Sequence, residues 1–269
     1  MEDHFGHRIS YLRVSVTDRC NERCAYCMPQ ELQEWLPRAE ILSYEETLRL
    51  IRIAADLGVT KVRITGGEPL TRREIVDFIR QVPRIPGIRD VGVSTNGTLL
   101  AREIAPNLTT AAAVRAAGVR SLNISLDTLD RHVYAQITGR DFLPAVFQGI
   151  TASVAAGFEQ IKLNMVLMRG RNEDQIIPLI EFAASQNLIL RFIEMMPVST
   201  TEVLTEQNFL PVAEARRAIE ARYGNLIPEP TFHTNGPATY YQIPGREQRI
   251  GFIGAMTNLH FCDSCNKLR

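Results

Sequence analysis

Residues 11–29 read Tyr11-Leu12-Arg13-Val14-Ser15-Val16-Thr17-Asp18-Arg19-Cys20-Asn21-Glu22-Arg23-Cys24-Ala25-Tyr26-Cys27-Met28-Pro29, a β-branched run leading directly into a loop with three cysteines spaced C-x3-C-x2-C. Iron–sulfur clusters are usually held by four Cys thiolates. A tight loop offering only three leaves one iron of a cubane open to a non-protein ligand. Two blander readings compete: a three-Cys zinc site completed by a distant His, and a chance cluster of thiols. Zinc knuckles prefer C-x2-C pairs set far apart. Cys262 and Cys265 bring the total to five. An odd, closely spaced set suits metal ligation better than a disulfide framework.

Outward from this loop, short β-branched runs alternate with amphipathic stretches. Strands are expected at 11–17, 62–65, 91–95, 121–126, 161–167 and 189–195, and helices near 44–57, 72–81, 109–117, 144–156 and 175–185. Six strands alternating with helices predict α/β architecture with a parallel sheet, closed or partly closed as a barrel. The strands near 91 and 121 are almost continuously apolar, as strands buried on both faces should be. Beyond residue 205 the pattern changes to one helix (211–223), several prolines and two short strands at 239–243 and 249–253. The expected division is a barrel over 1–205 and a small module over 206–269. Residues 106–113 are expected to be a surface insertion.

Thirty basic and thirty acidic residues cancel, so no global field draws nucleic acid or an acidic membrane. Hydrophobic content of 45% suits an ordinary core. No apolar run approaches the roughly 18–20 residues of a membrane span. The first residues lack a signal-peptide pattern, so a cytoplasmic location is expected.

In α/β barrels the working residues sit at the C-terminal ends of strands, and every motif found here falls at or beside such an end. The cysteine loop follows the first strand. The second ends in Thr65-Gly66-Gly67-Glu68-Pro69, where paired glycines permit close backbone approach and Glu68 can accept from an ammonium. The third ends in Ser94-Thr95-Asn96-Gly97 and the fourth in Ser125-Leu126-Asp127. The fifth contains Lys162, and the sixth ends in Arg191-Phe192-Ile193-Glu194-Met195-Met196. Arg13, Arg63 and Lys162 lie on strands whose alternation aims them inward. Burying three cations is costly without an anion; the partner is either a ligand or carboxylates such as Glu68 and Glu194.

Together these motifs resemble the radical S-adenosylmethionine (SAM) superfamily, with 66–69 matching its motif for the SAM amino group. The resemblance implies an incomplete (β/α)6 barrel, a 4Fe–4S cluster, and SAM on the open iron. Tyr11-Leu12-Arg13, Asp18-Arg19-Cys20-Asn21, Arg63-Ile64-Thr65-Gly66-Gly67-Glu68-Pro69, the Arg191–Met196 run just quoted and the terminal Phe261-Cys262-Asp263-Ser264-Cys265-Asn266-Lys267-Leu268-Arg269 narrow it further. They are similar to the GTP 3′,8-cyclase family of molybdenum-cofactor biosynthesis.

That resemblance implies that Cys20, Cys24 and Cys27 hold the SAM cluster. It implies that Tyr26, Gly66, Gly67, Glu68, Ser125 and Met196 line SAM, although Met at a strand end is more often core filler. Arg13, Arg63, Ser94, Lys162, Lys267 and Arg269 would meet GTP. Cys262 and Cys265 would hold part of a second 4Fe–4S cluster that binds guanine. The family has Arg where Lys267 stands, and its third second-cluster Cys falls beyond Arg269. The chain is therefore expected to be part of a longer protein, able to cleave SAM but to make little cyclised nucleotide by itself. Implied partners are a reductant protein and, as pathway neighbour, cyclic pyranopterin monophosphate synthase; a monomer or a homodimer fits. The rivals are a radical SAM peptide-modifying maturase and a non-enzymatic iron–sulfur or zinc-binding protein.

Overall fold

The alternation of strand and helix forms as one sheet wrapped by helices. The structure is a computed structural model that describes residues 2, 4, 6–28, 34–197, 204–232, 236–258, 261 and 266–268. In chain order its first half is β1 (Tyr11–Ser15), α1 (Tyr44–Asp56), β2 (Lys61–Thr65), α2 (Ile75–Gln81), β3 (Asp90–Thr95), β4 (Glu103–Ala105), β5 (Leu108–Thr109) and α3 (Thr110–Ala116). Then come β6 (Ser121–Ser125), α4 (Arg131–Thr138), α5 (Leu143–Ala155), β7 (Gln160–Leu167), α6 (Ile176–Ser185) and β8 (Ile189–Glu194). The chain continues through α7 (Val212–Tyr223), β9 (Ile227–Pro228), β10 (Thr239–Gln242), β11 (Arg249–Ile253) and β12 (Lys267–Leu268).

The sheet order is β12-β1-β2-β3-β6-β7-β8-β11-β10-β9. Every pair from β12 to β11 is parallel, and β10 pairs antiparallel with both neighbours. Six β/α units thus make an incomplete barrel. The segment after residue 205 extends it at both edges, β11 along β8 and β12 along β1, so it continues the sheet.

Alternation along the strands sorts side chains by chemistry. Val62, Ile64, Val91, Val93, Leu122, Ile124, Leu163, Leu190 and Phe192 join one core with Ile51, Phe78, Ile79, Val114, Ile150 and Leu179 of the helices. The intervening residues, including Tyr11, Arg13, Arg63, Ser94, Asn123, Lys162, Asn164 and Arg191, occupy the other face. The barrel interior is polar, whereas TIM barrels fill theirs with bulky branched side chains.

Local rules account for much of the helical frame. Ser43 and Glu46 form a capping box on α1, which buries Leu48, Ile51 and Ala54. Asp130 caps α4, which ends on Gly139 in the left-handed region. Two sequence expectations change. Residues 106–113 are only partly surface: Pro106 and Asn107 are exposed, but Thr109 caps α3, and Thr110, Ala111 and Ala113 are buried. Small residues fit where α3 packs against α2 and α5. Helix α4 went unseen in the sequence, because at 8 residues it carries only two turns of pattern. Among the described residues no helix is long and apolar enough to cross a membrane.

Candidate active site

The cysteine loop leaves β1 at the barrel mouth and is stapled to four neighbours. Gly67 N–H donates to the Thr17 carbonyl at 2.7 Å and Glu68 N–H to that of Arg19 at 2.8 Å. Arg23 and Ala25 N–H groups donate to the Thr138 and Ile137 carbonyls at the end of α4. Asn21 is gripped by Asn96 and Thr98 after β3. The Tyr26 hydroxyl donates to Asp127 Oδ2 at 2.9 Å after β6. Cys24 and Cys27 share one turn, closed by Cys27 N–H on the Cys24 carbonyl at 2.9 Å.

The paired glycines have a packing role beside the one expected from the sequence. What they approach closely is the cysteine loop. A Cβ on Gly66, whose φ is +148°, would overlap the Thr17 carbonyl oxygen, and one on Gly67 would overlap that of Arg19. Backbone cannot swing aside as a side chain can. Gly67→Ala is therefore expected to cost about 3 kcal/mol, the upper end for overpacking, and to lower iron retention. Urea unfolding and iron analysis measure both; an unchanged midpoint would show that the loop can shift.

Three carboxylic acids surround the loop, each 1–4% exposed: Glu22, Glu68 and Asp127. Burial lifts Glu22 and Glu68 to about 7 and Asp127 to about 6. Among the described residues none pairs with a cation. Glu22 accepts from the Tyr134 hydroxyl of α4. Glu68 accepts from Leu70 N–H (3.0 Å), Thr95 Oγ1 (2.8 Å) and Asn96 N–H (2.7 Å), so an ammonium would have to share its oxygens. Burial, with the Glu68 and Glu22 charges adding, also pushes the Cys20 thiol up to about 11.

Three thiols on one loop beside buried acids without cationic partners suit an iron–sulfur cube carrying a cationic ligand. Each thiolate of a cube binds a different iron, so the sulfurs need not converge. Among the described residues no three His, Cys, Asp or Glu side chains are placed to share a single metal ion.

Deeper in the barrel the charge reverses. Arg63, Lys162 and Arg191 are only 3–6% exposed. Arg63 donates Nε to the Tyr11 hydroxyl (2.8 Å), Nη1 to the Val93 carbonyl (3.0 Å) and Nη2 to Ser121 Oγ (3.0 Å). It lies across Gly92, where a Cβ would overlap the guanidinium. Three of its five N–H donors are thus engaged and two remain. Arg191 donates Nε and Nη2 to Asn164 Oδ1, and Lys162 donates to Gln160 Oε1. Among the described residues none of the three forms a salt bridge with a carboxylate, although the Asp90 charge reaches Lys162. Glu194, the suspected partner, accepts from Val212, Met256 and Thr257 and so fastens the C-terminal segment to β8. Burial, with the charges of Arg191 and Arg63, drags the Lys162 amine down to about 7.

The remaining expected residues distribute as follows. Arg13 stands opposite Arg63 across β1 and β2, and Ser94 opposite Asn123, itself opposite Lys162. Lys267 on β12 places its ammonium 5.7 Å from the Tyr11 ring centre. Ser125 is at the mouth, and half-buried Met196 follows Met195, which fills a small core under Tyr26. Cys262, Cys265 and Arg269 lie outside the described residues. The sequence reading overlooked Arg191 as a site residue, although a lone cation between Leu190 and Phe192 is the signal that singled out Arg63. It also missed Tyr240, which hydrogen-bonds Arg191, because that contact depends on β10 reaching β8 across Gly251.

A profile of the radical SAM superfamily matches residues 14–183, and one described as Molybdenum Cofactor Synthesis C matches 188–269. The chain is 42% identical over 269 residues to the GTP 3′,8-cyclase of Pelotomaculum thermopropionicum, covering 100% of this chain and 80% of that one. It is 43% identical over 270 residues to the GTP 3′,8-cyclase of Thermodesulfovibrio yellowstonii, at 100% and 81%. SuiB of Streptococcus suis bound to S-adenosylmethionine superposes with a TM-score of 0.68 at 17% identity, over 96% of this chain and 53% of that one, a likeness of fold alone.

Proposed function

The chain belongs to the radical SAM superfamily and, within it, to the GTP 3′,8-cyclase family, and from that membership we propose that it joins C3′ to C8 of GTP in molybdenum-cofactor biosynthesis. The product would be 3′,8-cyclo-7,8-dihydroguanosine 5′-triphosphate, passed to the synthase that makes the cyclic pyranopterin. When bound, the 4Fe–4S cluster on Cys20, Cys24 and Cys27, with SAM and one electron from a reductant protein, supplies the 5′-deoxyadenosyl radical that removes the C3′ hydrogen.

The observation that carries the reading is the split in charge along the barrel. At the mouth, Glu22, Glu68 and Asp127 face the cysteine loop and suit the sulfonium and ammonium of SAM. Below them, Arg63, Lys162 and Arg191 suit a triphosphate; Arg offers planar donors and Lys a point charge. Tyr26, Ser125, Met196 and the Gly66–Gly67 backbone are assigned to SAM on the strength of the family motifs. Arg13, Ser94 and Lys267 flank the nucleotide position, where a protein wall shields a radical from water. Cys262 and Cys265 are assigned to a second cluster, and Arg269 to GTP, on the strength of the terminal motif.

Hydrogen transfer tests this directly. The full-length protein, reconstituted, reduced and given SAM and GTP deuterated at C3′, should place deuterium in 5′-deoxyadenosine and yield a cyclised nucleotide on chromatography, while the present chain alone should yield little of it. Deoxyadenosine free of deuterium would overturn the proposed substrate position.

Lys162 adds a pH dependence. Its folded pKa lies near 7, below the ordinary 10.5. Between these values the unfolded chain holds more protons, so this group makes ligand-free stability rise with pH. Anion binding needs the charged amine, so it takes up a proton and weakens above about pH 7. The stabilisation by inorganic tripolyphosphate, read as a Tm shift, should shrink from pH 7 to 9. Lys162→Met should flatten both trends, and identical profiles in the two proteins would refute the assignment.

A further inference from the structure

The Cys20 sulfur faces two nitrogen donors. One is the Glu22 backbone N–H at 3.4 Å, inside the loop. The other is Asn96 Nδ2 at 4.0 Å, from the turn after β3 and 76 residues away in sequence. Asn96 belongs to the Ser94–Gly97 run that ends the third strand and was given no role of its own above, yet the residue is only 8% exposed.

Its amide is fixed in one orientation. Oδ1 accepts from Thr98 N–H at 3.1 Å and from Thr98 Oγ1 at 2.7 Å. Nδ2 must then face the loop, where it also donates to Asn21 Oδ1 at 2.8 Å. Asn21 Nδ2 closes the ring on Thr98 Oγ1 at 2.9 Å. The backbone is held as well: Asn96 N–H donates to Glu68 Oε2, and Gly97 N–H to Thr95 Oγ1 at 3.0 Å. Gly97 has φ +84° and no room for a Cβ against Ile124. A swapped amide would set Nδ2 against the Thr98 N–H, so Nδ2 faces the loop, where one N–H goes to Asn21 Oδ1 and the other lies toward the Cys20 sulfur and the Glu22 carboxylate.

We propose that Asn96 is a positioning residue for the SAM cluster, holding an N–H on the Cys20 sulfur and so raising the reduction potential of that cluster. The inference rests on the reading of Cys20, Cys24 and Cys27 as cluster ligands. A hydrogen bond to a ligand sulfur favours the more electron-rich, reduced state, and the groups around a first ligand shell set its potential. The turn after β3 therefore acts on the ease of the first electron transfer. The neutral amide matters: a carboxylate in its place would set negative charge beside a thiolate.

The experiment is a reductive titration of the reconstituted holoenzyme with titanium(III) citrate, followed by electron paramagnetic resonance, with iron counted on each sample. Asn96→Leu should keep wild-type iron and show a more negative midpoint. A tenfold fall in the reduced-to-oxidised ratio at fixed poise corresponds to about 59 mV for one electron. Asn96→Asp should move further in the same direction. Thr98→Val leaves the amide in place but removes the hydroxyl that aims it, and should shift the midpoint less. Full iron with an unchanged midpoint in Asn96→Leu overturns the proposal. Should Asn96→Leu fail to load iron, an unchanged midpoint in Thr98→Val overturns it instead. A wild-type protein that forms no 4Fe–4S signal overturns the reading of the loop itself.

Discussion

Replacing Cys24 with alanine should reduce 5′-deoxyadenosine formation to background. Cys24 is the central ligand, on the same turn as Cys27. Two thiolates do not retain a cube that is ordinarily held by four ligands. Iron should fall from about four per chain at this site toward zero. The fold should survive, because the loop is held by Gly67, Glu68, Thr138, Ile137 and Asn96 contacts that do not use the sulfur. Circular dichroism, iron analysis and product chromatography on one preparation separate these effects. Wild-type deoxyadenosine yield in Cys24→Ala would sink the ligand assignment.

The second large effect is expected at Arg63. Replacing it with glutamine removes a buried cation with two donors left for a ligand, and truncating one partner of a buried charge pair costs about 2–5 kcal/mol. GTP affinity should therefore fall by at least ~30-fold. Guanosine, lacking phosphate, should bind nearly as before. Some stability should also be lost, since Tyr11, Val93 and Ser121 each lose a partner; unsatisfied buried groups cost about 1–3 kcal/mol. Calorimetric titration with both ligands decides the matter. An equal loss for GTP and guanosine would mean that Arg63 shapes the barrel without meeting phosphate.

The two predictions draw on different levels of information. The reading of residues 20–27 as a metal loop came from spacing, and the inward-facing Arg63 and Lys162 were legible from period-two alternation, which are local properties of the chain. The β/α rhythm was equally plain, with strand limits agreeing to within one or two residues. The short helix α4 and the core helix α3 were harder, because eight residues or an alanine run carry little amphipathic signal.

What the residues do to each other was decided only by register and packing. Glu68 was read as an acceptor for an ammonium, and the fold adds that its oxygens also accept from Leu70, Thr95 and Asn96. Gly66 and Gly67 looked like a ligand cradle, and they admit the cysteine loop. Arg191 became a site residue once β7 and β8 placed it opposite Asn164 and brought it under the charges of Arg63 and Lys162. By itself the sequence determined the spacing of the cysteine loop, the architecture and the sign of charge on each strand, since these follow from spacing and alternation along one segment. The tertiary structure alone decided which carboxylate is engaged, which cation is desolvated and which amide meets a sulfur. Those are meetings between segments 27 to 76 residues apart, and their energies depend on distance and burial that no single segment carries.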